Sequence, residues 1–129
     1  MNNFVIDAYA WIEYFDGTKK GEIVKEIIEN ENIKIFTNIV TIAEISSHYK
    51  RKNINFEMPL QVINTLSEIF YLDLEFTIEV GKLHADLKKE RKHMGLADIF
   101  MLLTAKKTNS KVVTGDEDFR GLKEVFMIK

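Results

Sequence analysis

The sequence of 129 residues contains no cysteine, and this absence excludes disulfide bonds, thiolate zinc sites and thiol nucleophiles. No apolar run approaches the roughly 20 residues that a membrane-spanning helix needs. The opening residues, 1–11, lack the basic and then apolar pattern of a secretory signal. We therefore expect a cytoplasmic protein that does not associate with membranes.

The residues that are present have the composition of a globular protein, with 46% hydrophobic and 29% charged side chains. At this length we expect residues 1–129 to form a single domain around one core. The formal net charge of −2 lacks the basic excess that is usual in nucleic-acid-binding proteins. Basic side chains nevertheless occur in two runs, which could be solvated helix ends or contacts to the phosphates of a polyanion: Lys50, Arg51 and Lys52, and Lys88, Lys89, Arg91 and Lys92.

Short apolar segments alternate with segments of helical periodicity. The pattern predicts strands at 4–7, 33–37, 71–74, 111–114 and 125–128. It predicts a helix at 8–15 that Gly17 should end, and a second at 20–31. It also predicts two consecutive helices at 38–52 and 58–69, a long helix ending before Gly95, and a buried helix at 96–107. Because each parallel crossover needs a helix that covers one face of the sheet, we expect an α/β/α sandwich. Its central sheet would be mainly parallel and five-stranded, with the helical pair inserted after the second strand.

Acidic side chains follow two of the predicted strands. Asp7 closes the first strand, and Asp116, Glu117 and Asp118 follow the fourth. In parallel sheets, ligands bind beyond the carboxyl ends of the strands, at the point where the strand order reverses. If these two strands are neighbours at that point, their carboxylates face each other across a crevice.

Two further acids, Glu44 and Asp98, lie among apolar residues in the segments TIAEI and LADIF. We expect the helix turn around Glu44 to be largely buried, where an uncompensated carboxylate costs on the order of several kcal/mol. Most of the acids also have a purely local interpretation. Asp7 and Asp98 could cap helices, and Asp116 and Asp118 could form Asx turns. The convergence of acids from four separate segments favours a joint function over these local roles.

Carboxylates held close together repel one another and require a cation. Without cysteine or a histidine cluster, the oxygen ligands suit Mg²⁺ or Mn²⁺. Such an ion lowers the pKa of a bound water and stabilises the charge of a phosphodiester under attack, so the pattern indicates metal-assisted phosphoester hydrolysis. The three histidines, His48, His84 and His93, lack zinc-ligand spacing, which disfavours a zinc site or a histidine-based ribonuclease.

The segments VIDAYAWIEYF, TIAEI, LADIF and TGDEDF occur in this order across the chain. In these segments the sequence resembles the PIN-domain family, and especially the VapC toxins of toxin–antitoxin pairs. The resemblance implies that Asp7, Glu44, Asp98 and Asp116 form a catalytic acidic pocket that binds Mg²⁺ or Mn²⁺. It also implies that Asp118 is an additional outer or second-metal ligand and that the Thr114 hydroxyl supports the site.

The same resemblance implies an endoribonuclease that hydrolyses RNA, works as a homodimer and is inhibited by a cognate antitoxin protein. Residues 39–69 resemble the clip-like insertion that contributes to dimer and antitoxin contacts in the family. A housekeeping RNA-processing nuclease, or an inert RNA-binding or scaffold protein of the same fold, remains an alternative. A receiver-type phosphoacceptor domain with Asp73 as acceptor conflicts with the two consecutive helices and leaves Glu44 unexplained.

Overall fold

The computed structural model describes residues 3–128. Five strands are present in this range: β1 (Asn3–Ile6), β2 (Lys34–Asn38), β3 (Glu68–Phe70), β4 (Lys111–Thr114) and β5 (Val125–Met127). Six α-helices accompany them: α1 (Ala8–Asp16), α2 (Lys19–Ile28), α3 (Ile39–Arg51), α4 (Glu57–Leu66), α5 (Leu74–Lys88) and α6 (Leu96–Thr108). A short 3-10 helix (Glu117–Phe119) follows β4. Within the described range, every helix is too short or too polar to cross a membrane.

The strands form one sheet in the order β3-β2-β1-β4-β5, and each neighbouring pair is parallel. This arrangement confirms the predicted five-stranded parallel sheet. The chain builds from β1 through β2 to β3 on one side, and then crosses to place β4 on the other side of β1. The strand order therefore reverses between β1 and β4, which makes the ends of these two strands the expected ligand-binding crevice.

Each face of the sheet carries its own apolar layer, because successive side chains of a strand point to opposite faces. Ile6 and Val113 pack with helices α1 to α4, and their neighbours Val5 and Val112 pack with α5 and α6. The result is the predicted α/β/α sandwich, with helices α3 and α4 forming the consecutive pair after β2.

The predicted third strand at residues 71–74 is wrong, because the strand is Glu68–Phe70. The Asp73 carboxylate accepts a hydrogen bond from the Phe76 N–H at 2.8 Å, and this cap starts helix α5 at Leu74. Helix α4 correspondingly ends at Leu66 rather than at 69.

The other helix ends match the predictions to different degrees, and helix α5 ends at Lys88, well before Gly95. Helix α1 ends at Asp16, and Gly17 caps it, as expected, in the left-handed conformation with φ 67°. Helix α2 ends at Ile28, three residues before the predicted end at 31.

Candidate metal centre

The acidic residues singled out in the sequence lie at the carboxyl edge of the sheet, around the ends of β1 and β4. Asp7 follows β1 and Asp116 follows β4, and these strands are paired in the register Ile6 with Val113. Glu44 lies in the second turn of α3, which begins directly after β2, and Asp98 lies in the first turn of α6. The topology thus brings together acids that are separated by up to about a hundred residues in the chain.

Three of these acids form a compact group. One carboxylate oxygen each from Asp98, Asp116 and Asp118 lies within 4.8 Å of the other two, and all three side chains are half-buried. Magnesium binds its oxygens at about 2.1 Å, which places neighbouring ligand oxygens roughly 3–4 Å apart. Small side-chain rotations would therefore close this group around one divalent ion.

Asp7 is the buried member of the site. The pKa of its carboxylate is raised from 3.8 to about 7, chiefly by burial and to a smaller extent by the negative charges of Glu44 and Asp116. Hydrogen bonds from Thr114 and from the Ala10 N–H act in the opposite direction. A buried carboxylate with a pKa this high is strained electrostatically in its ionised form, and a bound cation would relieve that strain.

Glu44 lies within electrostatic range of both Asp7 and Asp98. Surrounding protein atoms partly desolvate the Glu44 carboxylate although its side chain is exposed, and this desolvation, with a smaller contribution from the charge of Asp98, raises the pKa of Glu44. Partial burial also raises the pKa of Asp98, with Asp116 and Asp118 as further causes. The prediction that the turn around Glu44 is largely buried is wrong. The Glu44 side chain is exposed, and the neighbouring Ile45 points into the core instead.

The local roles considered for these acids are real and coexist with the clustering. Asp7 accepts a hydrogen bond from the Ala10 N–H at 2.8 Å and caps α1. Asp98 accepts from the Gly95 N–H at 3.0 Å, and Asp116 accepts from the Asp118 N–H at 2.9 Å. Each of these bonds uses one carboxylate oxygen. The main chain therefore orients the three carboxylates, and the second oxygens of Asp98 and Asp116 remain available to a ligand.

The Thr114 hydroxyl lies between two of the acidic positions. It accepts a hydrogen bond from the Asp116 N–H at 3.0 Å, and its hydrogen bond to Asp7 lowers the pKa of that carboxylate. Thr114 is fully buried at the end of β4. It therefore couples the ends of the two central strands.

Protein cations do not neutralise the acids in the part of the chain that the structure describes. The ion pairs found between residues 3 and 128 join Lys34 to Glu68, Lys107 to Glu79, and Arg120 to Glu117. None of them includes Asp7, Glu44, Asp98, Asp116 or Asp118. The donor set of carboxylate oxygens and the uncompensated charge both fit a hard divalent cation such as Mg²⁺ or Mn²⁺.

Buried polar side chains that support the site were missed in the sequence. Asn38 caps α3 through a hydrogen bond from the Val40 N–H, and its amide donates to the Thr104 hydroxyl at 2.7 Å. The Thr41 hydroxyl bonds to the sulfur of Met101. These contacts tie α3, which carries Glu44, to α6, which carries Asp98. The sequence feature that indicates such a residue is a polar side chain within an apolar run, as at Thr104 within IFMLLTA.

An aromatic ring packs against the loop that carries Asp116. The ring of Tyr9 lies so close to Gly115 that an added Cβ there would overlap it, with 2.7 Å to Cζ. The Lys20 ammonium donates to the Tyr9 hydroxyl at 2.8 Å. Trp11 is fully buried, and its indole N–H donates to the Thr37 hydroxyl.

The two basic runs occupy different places. Lys50, Arg51 and Lys52 are exposed at the end of α3, about 9 Å or more along the helix from Glu44. The second run begins at Lys88, the last residue of α5, and continues into the connection to α6, at the edge that carries the acids. Lys88, Lys89 and Lys92 are exposed there, whereas Arg91 is half-buried and donates to main-chain carbonyls beside Asp118.

A model of the PIN domain matches residues 4–125 of this chain. The chain is also 31% identical over 124 residues to Ribonuclease VapC1 of Methanocaldococcus jannaschii, with 95% of this chain and 83% of that protein covered.

Solved structures with a similar fold include VapC20 of Mycobacterium tuberculosis, described as a Sarcin-Ricin loop cleaving toxin. Its TM-score is 0.74 at 12% identity, covering 95% of this chain and 98% of that one. A toxin–antitoxin complex from Klebsiella pneumoniae has a TM-score of 0.72 at 18% identity, with 97% of each chain covered. VapBC2 from Rickettsia felis, bound to a DNA fragment from its promoter, has a TM-score of 0.72 at 15% identity, covering 97% of this chain and 96% of that one. At these identities the structures establish the fold alone.

Proposed function

This chain belongs to the PIN-domain family, and we propose that it is a divalent-metal-dependent endoribonuclease and the toxin of a VapBC-type toxin–antitoxin pair. The observation that carries the proposal is the convergence of five acids, from four chain segments, at the reversal point of the sheet. A fold alone does not specify an activity, so the assignment depends on this site. The name of the 31% identical relative, Ribonuclease VapC1, supports RNA as the substrate class.

In this proposal Asp7, Glu44, Asp98 and Asp116 hold Mg²⁺ or Mn²⁺, and Asp118 is a further ligand. When bound, the ion would lower the pKa of a water molecule and offset charge on the phosphodiester. The chain itself orients the carboxylates through the main-chain hydrogen bonds to Asp7, Asp98 and Asp116. Thr114 supports Asp7, and an RNA strand would approach from the solvent side of the site, where Glu44 is exposed.

Positive charge near the cleft supports RNA binding. Lys88, Lys89 and Lys92 are exposed at the same edge of the fold as the acids and could contact phosphates on either side of the cleaved bond. Four carboxylates matched by two divalent ions would also change the formal net charge from −2 to −2 + 4 = +2. The run Lys50, Arg51 and Lys52 lies further away and could hold a longer substrate.

The partners of the proposed enzyme are a second copy of the chain and an antitoxin protein. Two of the similar solved structures are toxin–antitoxin assemblies by their descriptions, which supports an antitoxin partner. The helical pair formed by α3 and α4 exposes Ile54 and Met58, at 49% and 70% exposure. Apolar side chains exposed to this extent are suited to a protein contact.

The test is cleavage of labelled single-stranded and hairpin RNAs by the purified protein with Mn²⁺ or Mg²⁺, compared with the same reaction in EDTA. The matched variant is Asp98→Asn, because an asparagine oxygen can still accept the hydrogen bond from the Gly95 N–H. We expect metal-dependent cleavage by the wild type and none by the variant. Equal activity in both proteins, or cleavage that persists in EDTA, would refute the assignment.

The alternatives give different outcomes in the same experiments. An inert scaffold of this fold would show neither cleavage nor a rise in unfolding temperature with Mn²⁺, since a metal stabilises a protein only if it binds the native state. A housekeeping nuclease would cleave RNA but would not inhibit growth when its synthesis is induced in cells. A toxin would inhibit growth, and the Asp98→Asn variant would not.

A further inference from the structure

Arg91 joins the connection that leads into Asp98 to the segment that carries Asp116 and Asp118. Its Nη1 donates to the carbonyl oxygen of Asp118 at 3.2 Å and to that of Arg120 at 3.0 Å. Arg91 itself lies in the connection that leads from α5 into α6 and is half-buried. A single guanidinium nitrogen thus bridges two carbonyls that flank the buried residue Phe119.

The connection that holds Arg91 is itself anchored. The Arg91 N–H donates to the carbonyl of Leu87 at 2.8 Å, and its own carbonyl accepts from the Met94 N–H at 3.3 Å. Met94 is buried in the same apolar cluster as Phe119. Arg91 is therefore fixed to the end of α5 on one side and to the residues just before α6 on the other.

The two segments supply different carboxylates of the acidic group. The connection from α5 leads directly into the first turn of α6 with Asp98, and the other loop carries Asp116 and Asp118. Their carboxylates reach within 4.8 Å of one another although the loops are distant in sequence. Between residues 3 and 128, the bonds from Arg91 to Asp118 and Arg120 are the side-chain hydrogen bonds that join these two loops.

We propose that Arg91 is a positioning residue of the metal centre, which holds the Asp116–Asp118 loop at the distance from Asp98 that one divalent cation requires. This inference rests on the proposed function, because it assumes that Asp98, Asp116 and Asp118 bind a metal. It assigns Arg91 a role that differs from that of the neighbouring lysines. Lys89 and Lys92 are exposed and free to contact phosphate, whereas the Arg91 guanidinium is engaged with main-chain carbonyls.

The experiment measures Mn²⁺ binding without RNA, by calorimetric titration of the wild type, Arg91→Gln, Arg91→Lys and Lys92→Gln. We expect Arg91→Gln to weaken Mn²⁺ binding by about 10- to 100-fold, the range seen when residues that orient metal ligands are removed. Lys92→Gln removes a positive charge from the same connection and should bind Mn²⁺ as the wild type does. Arg91→Lys retains the charge, but lysine lacks the planar fork of the guanidinium, so we expect it to bind more weakly than the wild type.

A second measurement separates positioning from general loss of structure. Hydrogen exchange of metal-free Arg91→Gln should speed up in residues 115–121 and remain unchanged in the strands β1 and β4. Wild-type Mn²⁺ affinity in Arg91→Gln, or full recovery of affinity in Arg91→Lys, would overturn the inference while leaving the proposed function standing. Absence of Mn²⁺ binding by the wild type would overturn both.

Discussion

Replacement of Asp7 by asparagine is expected to stabilise the protein when no metal is bound. Asparagine resembles the protonated carboxyl group in shape, and its oxygen can still accept the hydrogen bond from the Ala10 N–H that caps α1. The substitution removes a buried negative charge that lies beside Glu44 and Asp116. The free energy of unfolding should therefore rise even though a residue of the proposed active site has been altered.

The pKa of Asp7 determines the size and the pH dependence of this effect. Its value of about 7 in the folded chain, against 3.8 in the unfolded chain, means that the folded state retains a proton that the unfolded state releases. The stability that this proton contributes is complete below about pH 3.8 and is lost as the pH rises through about 7. At about 1.4 kcal/mol for each tenfold change, the loss is at most on the order of 4 kcal/mol above pH 7.

The assay is urea unfolding in EDTA at several pH values between about 4 and 8, for the wild type and Asp7→Asn. Near pH 4 the two free energies of unfolding should be similar, and near pH 8 the variant should be more stable by up to about 4 kcal/mol. Some pH dependence should remain in the variant, because the raised pKa values of Glu44 and Asp98 act in the same direction.

Asp73 provides the matched control. It caps α5 through a hydrogen bond from the Phe76 N–H at 2.8 Å, the same length as the bond in the Asp7 cap, but it is exposed and lies outside the acidic group. Asp73→Asn should therefore change stability little at any pH in this range. A destabilised Asp7→Asn protein near pH 8, or a difference from the wild type that does not grow with pH, would refute the reasoning.

Three further predictions concern the metal, the RNA and the packing beside the site. We expect Mn²⁺ to raise the unfolding temperature of the wild type in scanning fluorimetry and Asp98→Asn to abolish this rise. The control Glu75→Gln, in the first turn of α5, should retain the rise. A rise that persists in Asp98→Asn would place the metal elsewhere. Joint replacement of Lys88, Lys89 and Lys92 by glutamine should reduce the slope of log RNA affinity against log salt by about 2, at about 0.7 per phosphate contact. An unchanged slope would exclude these lysines from the RNA interface. Gly115→Ala should lower the free energy of unfolding, because the new methyl group overlaps the Tyr9 ring. Gly81→Ala lies inside α5, where an added Cβ has nothing within 4 Å, and should raise the free energy of unfolding by about 1 kcal/mol. Urea unfolding in which both variants change this free energy in the same direction would contradict the described packing.

The predictions that the structure contradicts are those in which neighbouring residues favour one arrangement and packing between distant segments favours another. The segment YLDL resembles a strand in its apolar content, but Asp73 caps a helix and the sheet takes Glu68–Phe70 instead. Glu44 lies among apolar neighbours in the sequence. Successive side chains of a helix point in different directions, however, and Glu44 lies on the solvent-exposed side of α3. The sequence shows Arg91 only as one member of a basic run. It does not reveal that this side chain, unlike the neighbouring lysines, donates hydrogen bonds to main-chain carbonyls of a distant loop.

The sequence by itself determined the alternation of strands and helices, the end of α1 at Gly17 and the order of the acidic segments. These features follow from hydrophobic periodicity and from caps, which act between residues a few positions apart. Only the tertiary structure decided that β1 and β4 are neighbours, that Asp98, Asp116 and Asp118 form the compact group, and that burial raises the pKa of Asp7 to about 7. Those outcomes depend on strand pairing and on packing between distant segments. The energies of these interactions cannot be inferred from residues that are neighbours in the sequence.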